Sequence, residues 1–254
     1  MKSFLILFLL FTFIGPVFIV LSKQIDFSAD YRTANRNSAK LAPNPNLTPE
    51  AVIQVYSART FNWRGIFAVH TWIAIKPQNA KSYTVYQVIG WLLFRNLPPL
   101  SIHEDIPDRY WFDQKPQIIL DIRGKVAEDL IPQIVTAAAA YPYPNEYRYW
   151  PGPNSNTFTA FIGHQVPALQ LALPSNAVGK DYLPHFSFFQ RAPSGTGYQF
   201  SIYGVLGITL ALREGLEINL LGLVYGVSPL LGTIKLPGFG DIRIFGINTS
   251  TSKK

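Results

Sequence analysis

A chain of 254 residues that is 48% hydrophobic can build one domain with a full core, and its 18 Phe, 13 Tyr and 5 Trp make it rich in aromatic surface. The absence of cysteine excludes disulfides, cysteine-ligated zinc and a thiol nucleophile. A net charge of +7 suits a domain near an anionic membrane surface, but the basic residues form no run of the kind that grips nucleic acid, and no nucleic-acid partner is expected.

Residues 4–21 are an uncharged apolar run behind Lys2. A bilayer span takes roughly 17–25 such residues. The Ser-Lys-Gln-Ile-Asp that follows lacks the small residues of a signal-peptide cleavage site. An uncleaved transmembrane anchor is therefore expected over residues 1–23, with 24–49, rich in Asn, Ala, Pro and Ser, as a tether. Lys23, Arg32, Arg36 and Lys40 beyond the helix favour a cytoplasmic carboxy-terminal side, yet large domains translocate regardless of such charges.

Aromatic and β-branched residues predict strands over 51–57, 66–76, 82–91 and 117–122. The stretch 97–113, broken by Pro98, Pro99 and Pro107 and carrying His103, Glu104, Asp105 and Asp108, reads as a long loop. Val126, Leu130, Ile134 and Ala137 recur at helical spacing, so 125–141 is expected to be a helix that Pro132 kinks or delays. Beyond residue 200 the chain turns β-rich. Strands over 200–212 and 216–225 would form a hairpin around Arg213-Glu214-Gly215, followed by glycine-punctuated segments. Arg213, Glu214 and Glu217 argue against a second span.

The stretch with most to say about chemistry is 149–164, YWPGPNSNTFTAFIGH. Pro151, Gly152 and Pro153 stop regular structure, and Asn154, Ser155 and Asn156 then open an apolar helix. Ser155 would sit where free N–H groups and the helix dipole favour negative charge. A nucleophilic reading makes Ser155 the attacking group and His70 its base. Gln87 or Tyr86 would orient the imidazole, and Asn154 and Asn156 would help stabilise an oxyanion. The plainer reading makes the Asn-Ser-Asn cluster a helix cap and His70 a core residue. The four histidines form no close pair, so neither a metal site nor a cofactor is expected.

The segments WPGPNSNTFTAFI, LPSNAVGKDYL, RAPSGTG and LREGLEINLLGLVYGVSPL resemble those of an uncharacterised bacterial family of membrane-anchored proteins, for which PGPNSNTF is specific. A remoter resemblance is to circularly permuted papain-like proteins, the NlpC-type amidohydrolases and the lecithin–retinol acyltransferase group. In those proteins a strand histidine precedes a cysteine at a helix start; here His70 opens HTWIAI and Ser155 stands in the cysteine position. That likeness, which covers roughly residues 51–173, implies an α+β fold, a papain-like antiparallel sheet with helices over 50–199, which the β-rich section read above extends over 200–254. It implies a membrane-anchored hydrolase or acyltransferase of amide or ester bonds. The alternative is a non-catalytic envelope protein whose cleft binds peptide, glycan or lipid. Localisation is expected at the bacterial inner membrane, single-pass, with the domain on the periplasmic side.

Overall fold

A computed structural model describes residues 2–244. The last ten residues of the expected carboxy-terminal section, including the Lys253-Lys254 pair and Gly246, lie outside the described residues. The fold is α+β, built on two antiparallel sheets. The first has the order β4-β3-β2-β1-β5, from β1 (Val52–Arg59), β2 (Val69–Lys76), β3 (Thr84–Val88), β4 (Leu100–Glu104) and β5 (Gln117–Arg123). Two helices, α2 (Gly124–Ala139) and α3 (Ser155–Gln165), complete this part. Pro132 lies inside α2, which starts directly after β5 rather than being delayed.

The first sheet is covered on both sides. Ile53, Val55, Ile73 and Ile75 meet α2 and α3 in the main core, where Leu130, Ile134, Phe158 and Ile162 interlock with them. The opposite face, with Val52, Tyr56, Trp72 and Ala74, forms a smaller core under Leu41, Ala42 and Trp111. Residues 24–49, expected as a tether, therefore include a fixed strap. Buried Asp108 accepts hydrogen bonds from Ser38 Oγ and from the Leu41 and Ala42 amides, and Tyr83 donates to the Pro43 carbonyl. The stretch 97–113 is also not all loop. Leu100–Glu104 pairs with β3 as an edge strand, exposed at Ile102, His103 and Glu104 and polar enough to be missed.

The second sheet has the order β12-β11-β10-β9-β8-β7-β6. Its strands are β6 (Phe189–Arg191), β7 (Gly197–Ile202), β8 (Leu206–Ala211), β9 (Gly215–Leu220), β10 (Leu223–Ser228), β11 (Thr233–Leu236) and β12 (Gly240–Arg243). Four strands stand where two long ones were expected, because turns at Tyr203-Gly204 and Leu221-Gly222 use left-handed backbone. Its two faces are inverted relative to an ordinary soluble sheet. One inward ladder reads Gln199, Thr209, Glu217, Gly226, Lys235, Asp241 across neighbouring strands, whereas the adjacent outward one reads Phe200, Ile208, Ile218, Tyr225.

The apolar run 4–21 forms α1 (Lys2–Leu21), and one side of it packs on this sheet. Phe8 lies 5.7 Å from Tyr225 between ring centroids, and Thr12 Oγ1 is 2.7 Å from the Tyr225 hydroxyl. Gly15 abuts Pro237 and Phe239 so closely that a Cβ would stand 2.0 Å from the Pro237 carbonyl oxygen. Among the described residues, no helix is long and apolar enough to cross a membrane. The helix expected as an anchor packs one of its sides on the second sheet.

Candidate functional site

The residues singled out at the start of α3 form a hydrogen-bonded lock. Asn154 is the N-cap: its Oδ1 accepts from the Asn156 and Thr157 amides, and Thr157 Oγ1 accepts from the Asn154 amide. The Asn154 amide group also donates to the carbonyls of Tyr149 and Val178. Asn156 donates to Val69 and Val178 and accepts from Thr71 Oγ1 at 2.9 Å. Thr157 donates to the Gly179 carbonyl. The cluster thereby ties α3 to β2 and to the segment 176–179. These side chains are spent on protein partners and present no open oxyanion site.

Ser155 is buried, and its hydroxyl has no hydrogen-bond partner among the described residues. No base reaches it. Strand β2 is buried on both faces, and the residue it turns toward α3 is Thr71, bonded to Asn156 and Thr159. His70, one position away, therefore faces the other side of the sheet, as strand geometry requires. There its ring stacks on Trp111, with centroids 3.6 Å apart and planes 8° off parallel. The structure does bring together His70 and Gln87, at 3.3 Å between Nε2 and Oε1. Burial lowers the His70 pKa to about 3, partly opposed by the Gln87 bond, so the imidazole is neutral near pH 7. Tyr86 belongs to the main core on the α3 side, away from His70. His70 and Gln87 thus form one pair, and Asn154, Ser155 and Asn156 another group, with the sheet between them.

Two features were not anticipated from the sequence. The first is a buried ionic cluster behind the second sheet. Glu217 bridges Lys180 and Lys235, the latter at 2.6 Å; Lys180 also meets Asp181 at 3.2 Å, and Asn219 donates to Asp181 at 2.7 Å. Burial by itself would raise the Glu217 pKa, but the two ammonium groups hold it below the usual carboxylate value. Burial would likewise lower that of Lys180, and Asp181 and Glu217 outweigh it. Glu217 and Lys180 therefore stay charged, and the cluster fastens residues 180–181 to the inner face of the sheet.

The second feature is a cavity of about 610 Å³ between β5 at the edge of the first sheet and β12 at the edge of the second. Arg59, Lys115, Arg213 and Arg243 line it, against one carboxylate, Asp241. Arg59 donates to the carbonyls of Gly65 and Gly238, and Arg213 to that of Gln170. Lys115 and Arg243 are exposed and form no ion pair among the described residues. Gln24, just beyond α1, also lines the cavity, together with Phe239, which touches Phe18 of α1. One wall of the cavity thus lies next to the carboxy-terminal end of the apolar helix. Its cations come from segments more than 180 residues apart in sequence, which is why no motif marks it.

No metal-binding group of three or more His, Asp or Glu side chains occurs among the described residues. Neither the curated proteins nor the solved structures contain a match to the chain. A family described as a protein of unknown function, DUF3750, matches residues 50–182. That range holds the first sheet, the lock at α3 and the 176–179 segment it grips, and ends just past Lys180 and Asp181. It is more than half of the chain, and the protein is a member of the DUF3750 family.

Proposed function

We propose that the protein is a membrane-attached, non-catalytic envelope protein whose inter-sheet cavity binds the anionic end of a lipid, glycan or peptide. The observation that carries this reading is the excess of cations in the cavity: Arg59, Lys115, Arg213 and Arg243 against Asp241. Guanidinium groups in a partly desolvated cleft favour phosphate and carboxylate oxygens, which they bind by paired, charge-assisted hydrogen bonds. Apolar Phe239 and Leu231 beside them suit an amphiphile. Attachment through α1 is supported by its uncharged apolar exterior and by the cavity's place at its end. A periplasmic domain at the inner membrane belongs to the same proposal, and protease accessibility in spheroplasts tests it.

The permuted papain-like likeness stays part of the proposal. What supports it is the packing of α3 on β2, with Ser155 at the helix start. Where a base would have to face that helix, β2 presents Thr71, bonded to Asn156. On this reading the helix start around Ser155 serves as a structural fastening through Asn154 and Asn156, and binding takes place at the cavity. Titration of the full chain in detergent with glycerol 3-phosphate tests the assignment. Saturable binding, with none of glycerol, is expected; equal response to both would overturn it.

A further inference from the structure

We propose that the outward face of the second sheet is itself a lipid-contacting surface, which lies in the acyl layer of an anionic bilayer beside α1. This rests on the membrane attachment read above but assigns the contact to a different element. Outward positions along β7 to β11 are apolar, and cross-strand neighbours such as Leu210, Leu216, Val227 and Ile234 make an unbroken ladder. They are also open: Leu210 is 68% exposed and Leu212 72%. Ordinary soluble monomers seldom leave so continuous an apolar patch uncovered. Charged side chains of these strands sit instead on the inner face, in the Lys180–Glu217–Lys235 cluster. Apolar-out and polar-in alternation is the pattern by which strands meet lipid.

Three further observations favour a bilayer over a protein partner. The patch is continuous with α1, since Phe8 and Thr12 lie against Tyr225 in the outward row. Thr12 also meets the Tyr225 hydroxyl, a group that hydrocarbon would leave unpaired. Protein interfaces carry roughly one hydrogen bond per 100–200 Å²; outside its tyrosines this face offers almost no side-chain donor or acceptor, and lipid requires none.

The margins carry the groups that suit headgroups. Exposed Trp150, Phe188 and Tyr203 gather at the turns, where Trp150 Nε1 donates to the Leu221 carbonyl. Trp and Tyr prefer this interfacial depth. Arg191, opposite Tyr198 at the β6 edge, and Lys23 after α1 add positive charge to a chain of net +7, complementary to anionic lipid.

The chain has no cysteine, so single labelling sites can be introduced cleanly. Full-length Leu210→Cys, Ile218→Cys and, as a control, Phe94→Cys would carry an environment-sensitive fluorophore, with folding checked by circular dichroism. Phe94 is 91% exposed and lies in the connection between β3 and β4. On vesicles of phosphatidylglycerol and phosphatidylcholine, the 210 and 218 labels should shift to the blue and be quenched by brominated acyl chains. The Phe94 label should do neither. Vesicle-bound protein with unquenched 210 and 218 labels would overturn the sheet's role while sparing attachment by α1. Absence of vesicle binding would overturn both. A blue shift without vesicles that grows with protein concentration would assign the face to a second copy of the chain and overturn the proposal.

Discussion

Glu217→Gln should be among the most damaging single changes in the second sheet. Glu217 is 2% exposed and is the near partner of two ammonium groups. Without its charge, Lys180 keeps Asp181 at 3.2 Å, but Lys235, with a side chain 1% exposed, is left only with Asp241 at 3.8 Å. Removing one partner of a buried pair costs about 3–5 kcal/mol, because the other charge stays in a poorly solvating site. At about 2–4 °C per kcal/mol for a chain of this size, the melting temperature should fall by roughly 10 °C. Thermal unfolding of the full chain by circular dichroism measures this. Glu217→Leu combined with Lys235→Met removes both charges and should recover much of the loss, since well-packed apolar replacements of buried pairs are often neutral. A Glu217→Gln change below about 1 kcal/mol, the size typical of an exposed pair, would refute the reasoning. It would mean that the inner face is hydrated and not a dry ionic core.

Other expectations follow from the lock and the histidines. Asn156→Ala removes the Asn156 donor from the Val69 and Val178 carbonyls and one of the two partners of Thr71, and should lose about 2–3 kcal/mol by equilibrium unfolding; Ser155→Ala, whose hydroxyl has no partner among the described residues, should lose less than about 1. Hydrolysis of an ester probe that vanished in Ser155→Ala would instead restore the nucleophile. Gly179→Ala should destabilise strongly, because φ is +97° and a Cβ would stand 2.3 Å from Asn154 Nδ2. Burial lowers His70 to about 3 and His164 to about 4, so both are neutral when folded and take up protons on unfolding. Their contribution is full above the ordinary histidine pKa of about 6.5 and is lost as pH falls through the folded values. His70→Phe, which keeps the stack on Trp111, should flatten that acid limb in melting temperature against pH.

How much of this was legible in the sequence differs by element. Strands β1, β2, β3 and β5 and helix α2 announced themselves through β-branched runs and helical spacing. The cap at Asn154 was also visible as one of two readings, since an Asn-Ser-Asn cluster before an apolar run is a helix-start signal. The direction of His70 was not. A strand buried on both faces reads as a continuous apolar run, and nothing in VHTWIAIK says whether His70 or Thr71 meets the helix.

The strap over the first sheet was hidden because backbone amides on Asp108, rather than a hydrophobic period, hold it. In the second sheet the signal was present but inverted. Glu217, Asn219 and Lys235 alternate with Leu, Ile and Leu at period two, and the alternation alone does not say which side faces the protein. The cavity could not be read, because its cations, from β1, the segment before β5, the turn between β8 and β9, and β12, converge only in the folded chain.

The central claim is that the cavity between the sheets recognises an anion. Lys115 and Arg243 line it and form no ion pair among the described residues, so reversing them tests recognition apart from stability. Calorimetric titration of glycerol 3-phosphate into the wild type, Lys115→Glu and Arg243→Glu is the direct measurement. A charge-assisted hydrogen bond is worth about 1.5–3 kcal/mol, so each reversal should weaken binding roughly tenfold or more with melting temperature unchanged. Unaltered affinity in both folded variants would contradict the claim.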